Sequence, residues 1–368
     1  MSVLDWFSTR FKREASHFLY VPVAADHVRH SDGQTPDNRE LAAGNHYFRL
    51  WLTQMFLKND RNWFASWHPA VHSAVTFEFG STTQVVTNVT GPSKLQELEG
   101  KNLDKFITAN QRLTSLLPFN GGTVTLDAGL LALQGKNDIQ DLVKVLGDFG
   151  SLLVVPQLSA AMAVAGPLAN AVGSLVGAAD GQLMIGLNQT FSSAGGGAEA
   201  VLRAGYYAVV DTTEDTLQRE KFWVDKDRLQ YGDSLETSKP LTGRNYLLFR
   251  IESRDSRDDW DELKTIQEPY QEVIKMLQAG QVEQAEANLR RAIAAALVAP
   301  ELTKNVDRRR VVSQLKAKFE QDKIDLGQGA FKRADASLES LMADAISVKE
   351  AAAKPELKAK EAFAGLSW

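Results

Sequence analysis

Residues 72–252 alternate between apolar and polar positions, with turn-forming residues at short intervals. The clearest alternating run is 123–130, which follows an Asn-Gly-Gly turn at 120–122. A period of two is typical of a half-buried β-strand. The apolar positions of this run are Val124, Leu126, Ala128 and Leu130. Further strands are predicted at 75–79, 85–89, 183–187, 202–210, 221–224 and 246–252. The predicted class is α+β: residues 72–257 form an antiparallel β-rich, sandwich-like domain with helical insertions at 102–117 and 138–146.

Residues 1–71 are predicted to be a helical, aromatic-rich region that packs on this domain. Residues 1–20 place apolar side chains at helical spacing beside Arg10, Lys12 and Arg13, which predicts an amphipathic helix. Residues 24–44 are polar and predict a loop, and 46–57 and 62–67 predict two further helices. The many aromatic groups of these helices, Trp51 and Trp63 among them, predict a core layer or a partner surface.

Residues 258–368 change to helical spacing and are predicted to form a separate α-helical hairpin domain. Two copies of a helix, glycine, helix pattern repeat there with an offset of about 49 residues, shown by the pairs Gly280 and Gly329, Ala285 and Ala334, and Leu289 and Leu338. The segment 278–293, QAGQVEQAEANLRRAI, resembles one helical hairpin of the tetratricopeptide repeat family. The resemblance implies a protein-binding helical scaffold. A plain helical bundle packed on the sheet domain is the alternative.

An apolar stretch, 149–198, contains Asp180 as its only ionisable residue. Such a segment must lie in a core, at an interface or in lipid. Pro156 and the pair Gly166-Pro167 interrupt it, so a continuous spanning helix is disfavoured. The pattern predicts buried helices at about 158–165 and 168–176, followed by a strand, with the stretch lying across the open face of the sheet.

Composition removes several classes of function. The chain has 368 residues, a formal net charge of −5 and a pI near 5.8, so no global basic field indicates a nucleic-acid partner. Cysteine is absent, which excludes disulfides, thiolate catalysis and cysteine-ligated metal centres. No secretory signal pattern begins the chain, and the predicted location is cytoplasmic.

The histidines are the best candidates for a metal site, because all of them fall in the first fifth of the chain. They are His17, His27, His30, His46, His68 and His72. His68 and His72 have the spacing of one helix face, but Pro69 predicts a helix-to-strand turn between them. The sequence contains no HExxH motif. The favoured prediction is therefore that these histidines pack or face solvent.

Two short motifs suggest ligand sites but fail on spacing. In 129–137, GLLALQGKN, five residues separate the glycines and Asn137 replaces the Ser or Thr of a phosphate-binding loop. In 225–233, Leu229 occupies a calcium-ligand position and no Glu closes the loop, so a hairpin turn is predicted. No catalytic, cofactor-binding or metal-binding residue is therefore predicted.

The favoured function is a non-enzymatic interaction or scaffold component of a larger assembly, which binds other proteins through the helical hairpins and the aromatic N-terminal region. Arginine is favoured at protein interfaces. The predicted partner-binding residues are Arg290, Arg291, Arg308, Arg309, Trp51 and Trp63. One alternative is a membrane-active protein, which docks on a membrane surface with residues 1–20 and inserts 149–198. A second alternative is a metal-dependent hydrolase that uses the histidine cluster.

Overall fold

The structure, a computed structural model, describes residues 18–30, 33, 35–58, 61–62, 65–90, 106–134, 162–177, 182–193, 200–212 and 216–327. The chain divides into two compact units. The first comprises 1–267 with 294–312, and the second comprises 268–293 with 313–368. The boundaries predicted at 71/72 and 257/258 stay predictions.

The described elements are short strands followed by helices in the last third of the chain, which confirms the α+β class. The strands are β1 (Leu19–Pro22), β2 (Val28–Arg29), β3 (Tyr47–Phe56), β4 (Arg61–Asn62), β5 (Ala65–Phe79), β6 (Thr82–Thr90), β7 (Phe106–Arg112), β8 (Leu117–Pro118), β9 (Thr123–Gln134), β10 (Gln182–Ser192), β11 (Ala200–Val201), β12 (Gly205–Val210), β13 (Phe222–Asp225), β14 (Arg228–Tyr231), β15 (Lys239–Pro240) and β16 (Tyr246–Arg254). The α-helices are α1 (Ala165–Gly177), α2 (Lys264–Gln278), α3 (Val282–Val298) and α4 (Asp307–Asp325).

Within the described residues the strands form three sheets. The first has the order β1-β12-β16-β3-β7, with β8 also paired to β3. The second has the order β11-β10-β9-β5-β4, with β6 paired to β5, and the third has the order β15-β14-β13-β2. Adjacent strands are antiparallel, except that β10 with β11 and β13 with β2 are parallel.

The first sheet is the middle layer of the β domain, because both of its faces are covered along part of their length. On β16, Leu247, Phe249 and Ile251 join the apolar core shared with the second sheet. The intervening Tyr246 and Leu248 join a second core shared with the third sheet. Two sheets packed face to face across a core are a sandwich. The predicted sandwich-like domain is therefore confirmed.

The helices predicted at 46–57, 62–67 and 102–117 are wrong. The first of these segments forms β3. The described residues of the second lie in β4 and the start of β5, and those of the third include β7 and the beginning of β8. In β3 almost every side chain is buried, since the first sheet is covered on both faces, and the two-residue alternation disappears. In β7 the register shifts near Asn110, which has a φ of 36°, and this irregularity also breaks the alternation.

Strand β5 runs without interruption from Ala65 to Phe79, so the turn predicted between His68 and His72 is wrong. Pro69 lies inside this strand opposite Ala132 of β9. Among the described residues, β5 pairs on its other side with β4 only up to Ser66 and with β6 only from Val71. Proline is tolerated in a strand at a position that needs no ladder donor, and among the described residues this part of β5 has a partner only on the β9 side.

The described part of the apolar stretch agrees with its prediction. Helix α1 packs on β6 of the second sheet, where the Thr87 hydroxyl donates to the Ala165 carbonyl at 3.4 Å. Leu168 and Val172 of α1 are fully buried. The predicted strand is part of β10. The helix predicted at 158–165 lies largely outside the described residues. In the part of the chain that the structure describes, no helix is both long and apolar enough to span a membrane.

The first predicted helical hairpin is confirmed. Helix α2 ends at Gln278, Gly280 adopts a left-handed φ of 72°, and α3 begins at Val282. Glycine is favoured at such a helix end because it carries no Cβ. The later helix of the second hairpin falls outside the described residues, as do the helix predicted at 138–146 and residues 1–17 of the helix predicted at 1–20. The end of that helix is wrong, since Leu19 and Tyr20 lie in β1.

Candidate ligand-binding site

A row of polar and aromatic side chains crosses the first sheet at one register position. Tyr206 on β12 lies opposite Arg250 on β16, and Arg250 lies opposite Trp51 on β3. Trp51 in turn lies opposite Arg112 on β7. Directly opposed residues in an antiparallel pair share a face, with Cβ atoms about 4.5–5.5 Å apart. Four strands that are distant in sequence therefore place these side chains side by side.

Two arginines lie against the ring of Trp51. The guanidinium carbon of Arg250 is 5.3 Å from the ring centroid, and that of Arg49, on the next row, is 5.9 Å away. At this distance a guanidinium is attracted to the negative face of the indole. We call Arg49, Trp51, Arg112 and Arg250 the arginine–tryptophan strip.

Glu252 fixes the orientation of this strip. Its carboxylate accepts from the Trp51 indole N–H at 2.7 Å and from Arg254 Nε at 2.6 Å. Burial acts to raise the pKa of Glu252, but the hydrogen bonds from Arg254 and Trp51 and the charge of Arg49 outweigh it. The pKa of Glu252 therefore lies below its ordinary value, and the group stays ionised.

Tyr206 is held by Asp227, which lies in a tight turn. Lys226 and Asp227 join β13 to β14 with φ values of 50° and 64°, the backbone of a two-residue hairpin turn. The hairpin predicted at 225–233 is thus confirmed. The Tyr206 hydroxyl donates to Asp227 Oδ1 and lies 3.4 Å from His30 Nδ1. Burial and the contact with Asp227 raise the pKa of Tyr206, while Arg250 opposes the rise. Tyr206 therefore remains a protonated donor.

A cavity of about 420 Å³ opens beside this row. It is lined by His30, Thr35, Asp37, Gly205, Tyr206, Arg250, Ile251, Glu252, Ser253 and Arg254. The acidic groups of the lining are already paired: Asp37 accepts from Arg39 Nε at 3.0 Å, and Glu252 from Arg254. Arg250 forms no ion pair with any described residue, and its Nε is enclosed without an acceptor. The cavity therefore presents a cation whose charge is not balanced by the described residues.

The described histidines do not converge on a metal. His27 Nδ1 is 3.0 Å from the Phe222 carbonyl, and its ring stacks on Trp223. His46 Nδ1 accepts from the Ala42 N–H. His30 borders the cavity, and His72 is buried in β5. Within the described residues, no group of three His, Asp or Glu is arranged to hold a metal ion.

The predicted partner-binding residues are in different environments. Trp51 lies in the arginine–tryptophan strip, whereas Trp63 is outside the described residues. Arg290, Arg291 and Arg309 are exposed. Arg308 is half-buried and donates to the Ala299 carbonyl at 2.9 Å. Arg308 therefore has a structural contact that its neighbour Arg309 lacks among the described residues.

Replacing Arg308 by glutamate is expected to lower the free energy of unfolding by about 1–3 kcal/mol, because the Ala299 carbonyl loses its charged donor and a carboxylate enters a half-buried position. The matched variant Arg309→Glu, at an exposed position, should change it by less than about 0.5 kcal/mol. Urea unfolding followed by circular dichroism measures both values. Equal values for the two variants would show that the Arg308 contact does not contribute to stability.

Four residues of this site are not predicted from the sequence: Tyr206, Arg49, Arg112 and Arg250. A local signal was available, because charged or amphipathic residues occupy alternate positions in two otherwise apolar runs. They are Arg49 and Trp51 in one run, and Arg250, Glu252 and Arg254 in the other. The pairing of these strands is long-range, and only the fold shows that the two patterns share one face.

No protein-family model, no curated protein and no solved structure matches this chain. The functional interpretation therefore rests on the geometry of the site.

Proposed function

We propose that the protein is a non-enzymatic component of a larger assembly, and that it binds an acidic partner protein through the arginine–tryptophan strip. The observation that carries the proposal is the in-register row of Arg250, Trp51 and Arg112 across three adjacent strands. A sheet is a rigid support, so these side chains are held in place before a partner arrives. Binding then requires less ordering of side chains.

The residue types of the strip favour a protein partner. Tryptophan and arginine are enriched among the residues that contribute most to protein–protein affinity. Glu252 pairs with Arg49 and Arg254, and the neighbouring Arg250 has no ion pair among the described residues. These four residues carry three positive charges and one negative charge, on a chain whose net charge is −5. Complementary charge favours an acidic surface on the partner.

The polar groups of the site support binding rather than chemistry. Tyr206 has a raised pKa and its proton is directed at Asp227. Glu252 is ionised and neutralised by the cations around it. A general base needs a pKa near the working pH and a free position toward substrate. Among the described side chains of this site, each acid is instead engaged with its neighbours.

Exposed Arg290, Arg291 and Arg309 are consistent with a second contact through the helical hairpins. The membrane-active alternative depends on residues 1–17 and on parts of 149–198 that lie outside the described residues. The hydrolase alternative depends on His17 and on the side chain of His68, which also lie outside them. Both alternatives stay predictions.

Replacing Arg112 by glutamate is expected to reduce capture of the partner from a lysate of the source cell by at least about tenfold, the effect of losing one strong interface contact. Capture by the unaltered protein should also weaken with added salt, since the attraction is electrostatic. The double variant Arg290→Glu, Arg309→Glu tests the second contact in the same assay, and quantitative mass spectrometry is the readout.

If the hairpin variant fails to capture these proteins and Arg112→Glu still captures them, the contact is assigned to the helical hairpins. Equal capture by all three proteins would contradict a charged interface at either place. Thermal unfolding of each variant shows whether a loss of capture reflects a loss of folding.

A further inference from the structure

We propose that the cavity beside Arg250 binds the carboxylate group of a small monoanionic ligand. This site goes beyond the proposed partner contact, because it lies in a cavity lined by His30, Tyr206 and Arg250 and needs no second protein. Its volume of about 420 Å³ lies within the range of small-molecule sites, roughly 300–1,000 Å³.

The charge of Arg250 carries the argument. A partly buried cation is costly unless an anion or several acceptors compensate it. No described carboxylate forms an ion pair with Arg250, and its Nε has no acceptor. The nearby acids are neutralised by other arginines, since Asp37 pairs with Arg39 and Glu252 with Arg254. A bound anion would provide the missing compensation.

Arg250 is also held in position for this role. One face of its guanidinium lies over Trp51, at 5.3 Å from the ring centroid. Tyr206 lies beside it on the neighbouring strand, and Asp227 fixes the Tyr206 hydroxyl. A planar guanidinium with a fixed orientation matches the two oxygens of a carboxylate, and fixing it beforehand reduces the entropy lost on binding.

The lining favours one negative charge over two. Asp37 and Glu252 both border the cavity, and each carries a negative charge although it is paired. Like charges at short distance repel most strongly where solvent is partly excluded. A monocarboxylate meets Arg250 with less repulsion than a phosphate dianion does. The geometry therefore points to a monocarboxylate rather than a phosphate.

The experiment is a titration of the full chain with sodium acetate, observed through the arginine Nε–Hε signals in nitrogen-15 NMR. The signal of Arg250 is assigned by its loss in Arg250→Lys, and that of Arg254 by its loss in Arg254→Lys. Acetate should shift the Arg250 signal in a saturable way with a Kd of about 1–20 mM, a weak affinity suited to so small a probe. Phosphate at pH 8 and at matched ionic strength should bind at least about fivefold more weakly.

Arg250→Gln should abolish saturable acetate binding. Because this variant lacks the Arg250 signal, binding is followed through the other arginine signals that acetate shifts in the unaltered protein. Arg309→Gln should retain saturable acetate binding, since Arg309 is exposed and does not line the cavity. The proposal is overturned if the Arg250 signal does not saturate below about 50 mM acetate, if phosphate binds as tightly as acetate, or if Arg309→Gln removes binding and Arg250→Gln does not. Arg112→Glu separates this proposal from the proposed function. The variant should fail to capture the partner and should still bind acetate.

Discussion

Replacing Asp307 by alanine is expected to lower the free energy of unfolding by about 3–5 kcal/mol, the range for removing one partner from a buried ion pair. Asp307 lies at the start of α4, and its side chain is fully buried. It accepts from the Tyr47 hydroxyl at 2.5 Å and from Arg310 Nε. The backbone N–H of Arg257 also points to it at 3.3 Å.

The large effect follows from the donors that would be left behind. Tyr47 is fully buried, and its pKa is raised by burial and by Asp307, so it remains a proton donor. Without Asp307 its hydroxyl has no carboxylate to bind. Arg310 would retain its contact with the Arg257 carbonyl but lose its ion pair. A buried donor without an acceptor costs about 1–3 kcal/mol, and a charged one more.

Urea unfolding at pH 7 measures this change. The matched control is Asp325→Ala at the exposed end of the same helix, which should alter stability by less than about 0.5 kcal/mol. Tyr47→Phe should have an intermediate effect of about 1–3 kcal/mol. It removes the hydrogen bond to Asp307 and the one accepted from the Thr303 N–H, but leaves the carboxylate its other donors. An Asp307→Ala protein as stable as the control would contradict a network that supports the fold.

The second large effect is a loss of stability in mild acid, caused by His72. Its side chain is fully buried in β5, opposite Val89 of β6 and Gly129 of β9. Burial lowers the pKa of His72 to about 4, from an ordinary value of 6.5. In the unfolded chain His72 takes up a proton below about pH 6.5, whereas in the folded chain it does so only below about pH 4.

The sign follows from proton uptake. Between these two values the unfolded state binds more protons than the folded state, so the free energy of unfolding falls as the pH falls. A shift of about 2.5 pKa units corresponds to about 3 kcal/mol, all of it lost by pH 4. The carboxylates with lowered pKa, Asp225, Glu252 and Asp259, lose their stabilising contribution at lower pH, as they are protonated. The loss of stability between pH 6.5 and about 4.5 is therefore caused mainly by His72.

Urea unfolding at intervals from pH 7.5 to 4.5 tests this account of His72. His72→Gln should flatten the dependence of stability on pH in this window, although the variant itself is less stable at pH 7. Ser73→Ala, at the neighbouring buried position of β5, removes no titratable group and is the control, so it should keep the slope of the unaltered protein. An unchanged slope in His72→Gln would show that other groups cause the acid sensitivity.

The sequence predicted the fold wherever a strand has one buried face. Val124, Leu126, Ala128 and Leu130 are all buried against the first sheet, as their alternation indicates. Strand β3 has no such alternation, because it lies in the middle layer, and its density of aromatic groups resembles a buried helix. Periodicity cannot distinguish these two cases.

The site was less predictable than the fold. Trp51 was singled out because a large aromatic group needs a partner, and this reasoning holds for a strand as well as for a helix. Arg250 alternates with Glu252 and Arg254 along β16, but this local pattern does not show which side chains of other strands lie beside it. Its importance comes from the register that places it between Tyr206 and Trp51, and from the absence of a counter-ion among the described residues.

The central claim is that the arginine–tryptophan strip contacts an acidic partner, and site-specific photo-crosslinking in the source cell tests it most directly. A photoreactive phenylalanine is placed at exposed position 254, on β16 beside the strip, in one protein and at exposed position 290 in another. A crosslinked partner is expected from position 254, with the crosslink mapped by mass spectrometry to a segment rich in Asp and Glu. That product should be lost when Arg112 is also replaced by glutamate. A protein that crosslinks from position 290 and gives no product from position 254 would contradict the central claim.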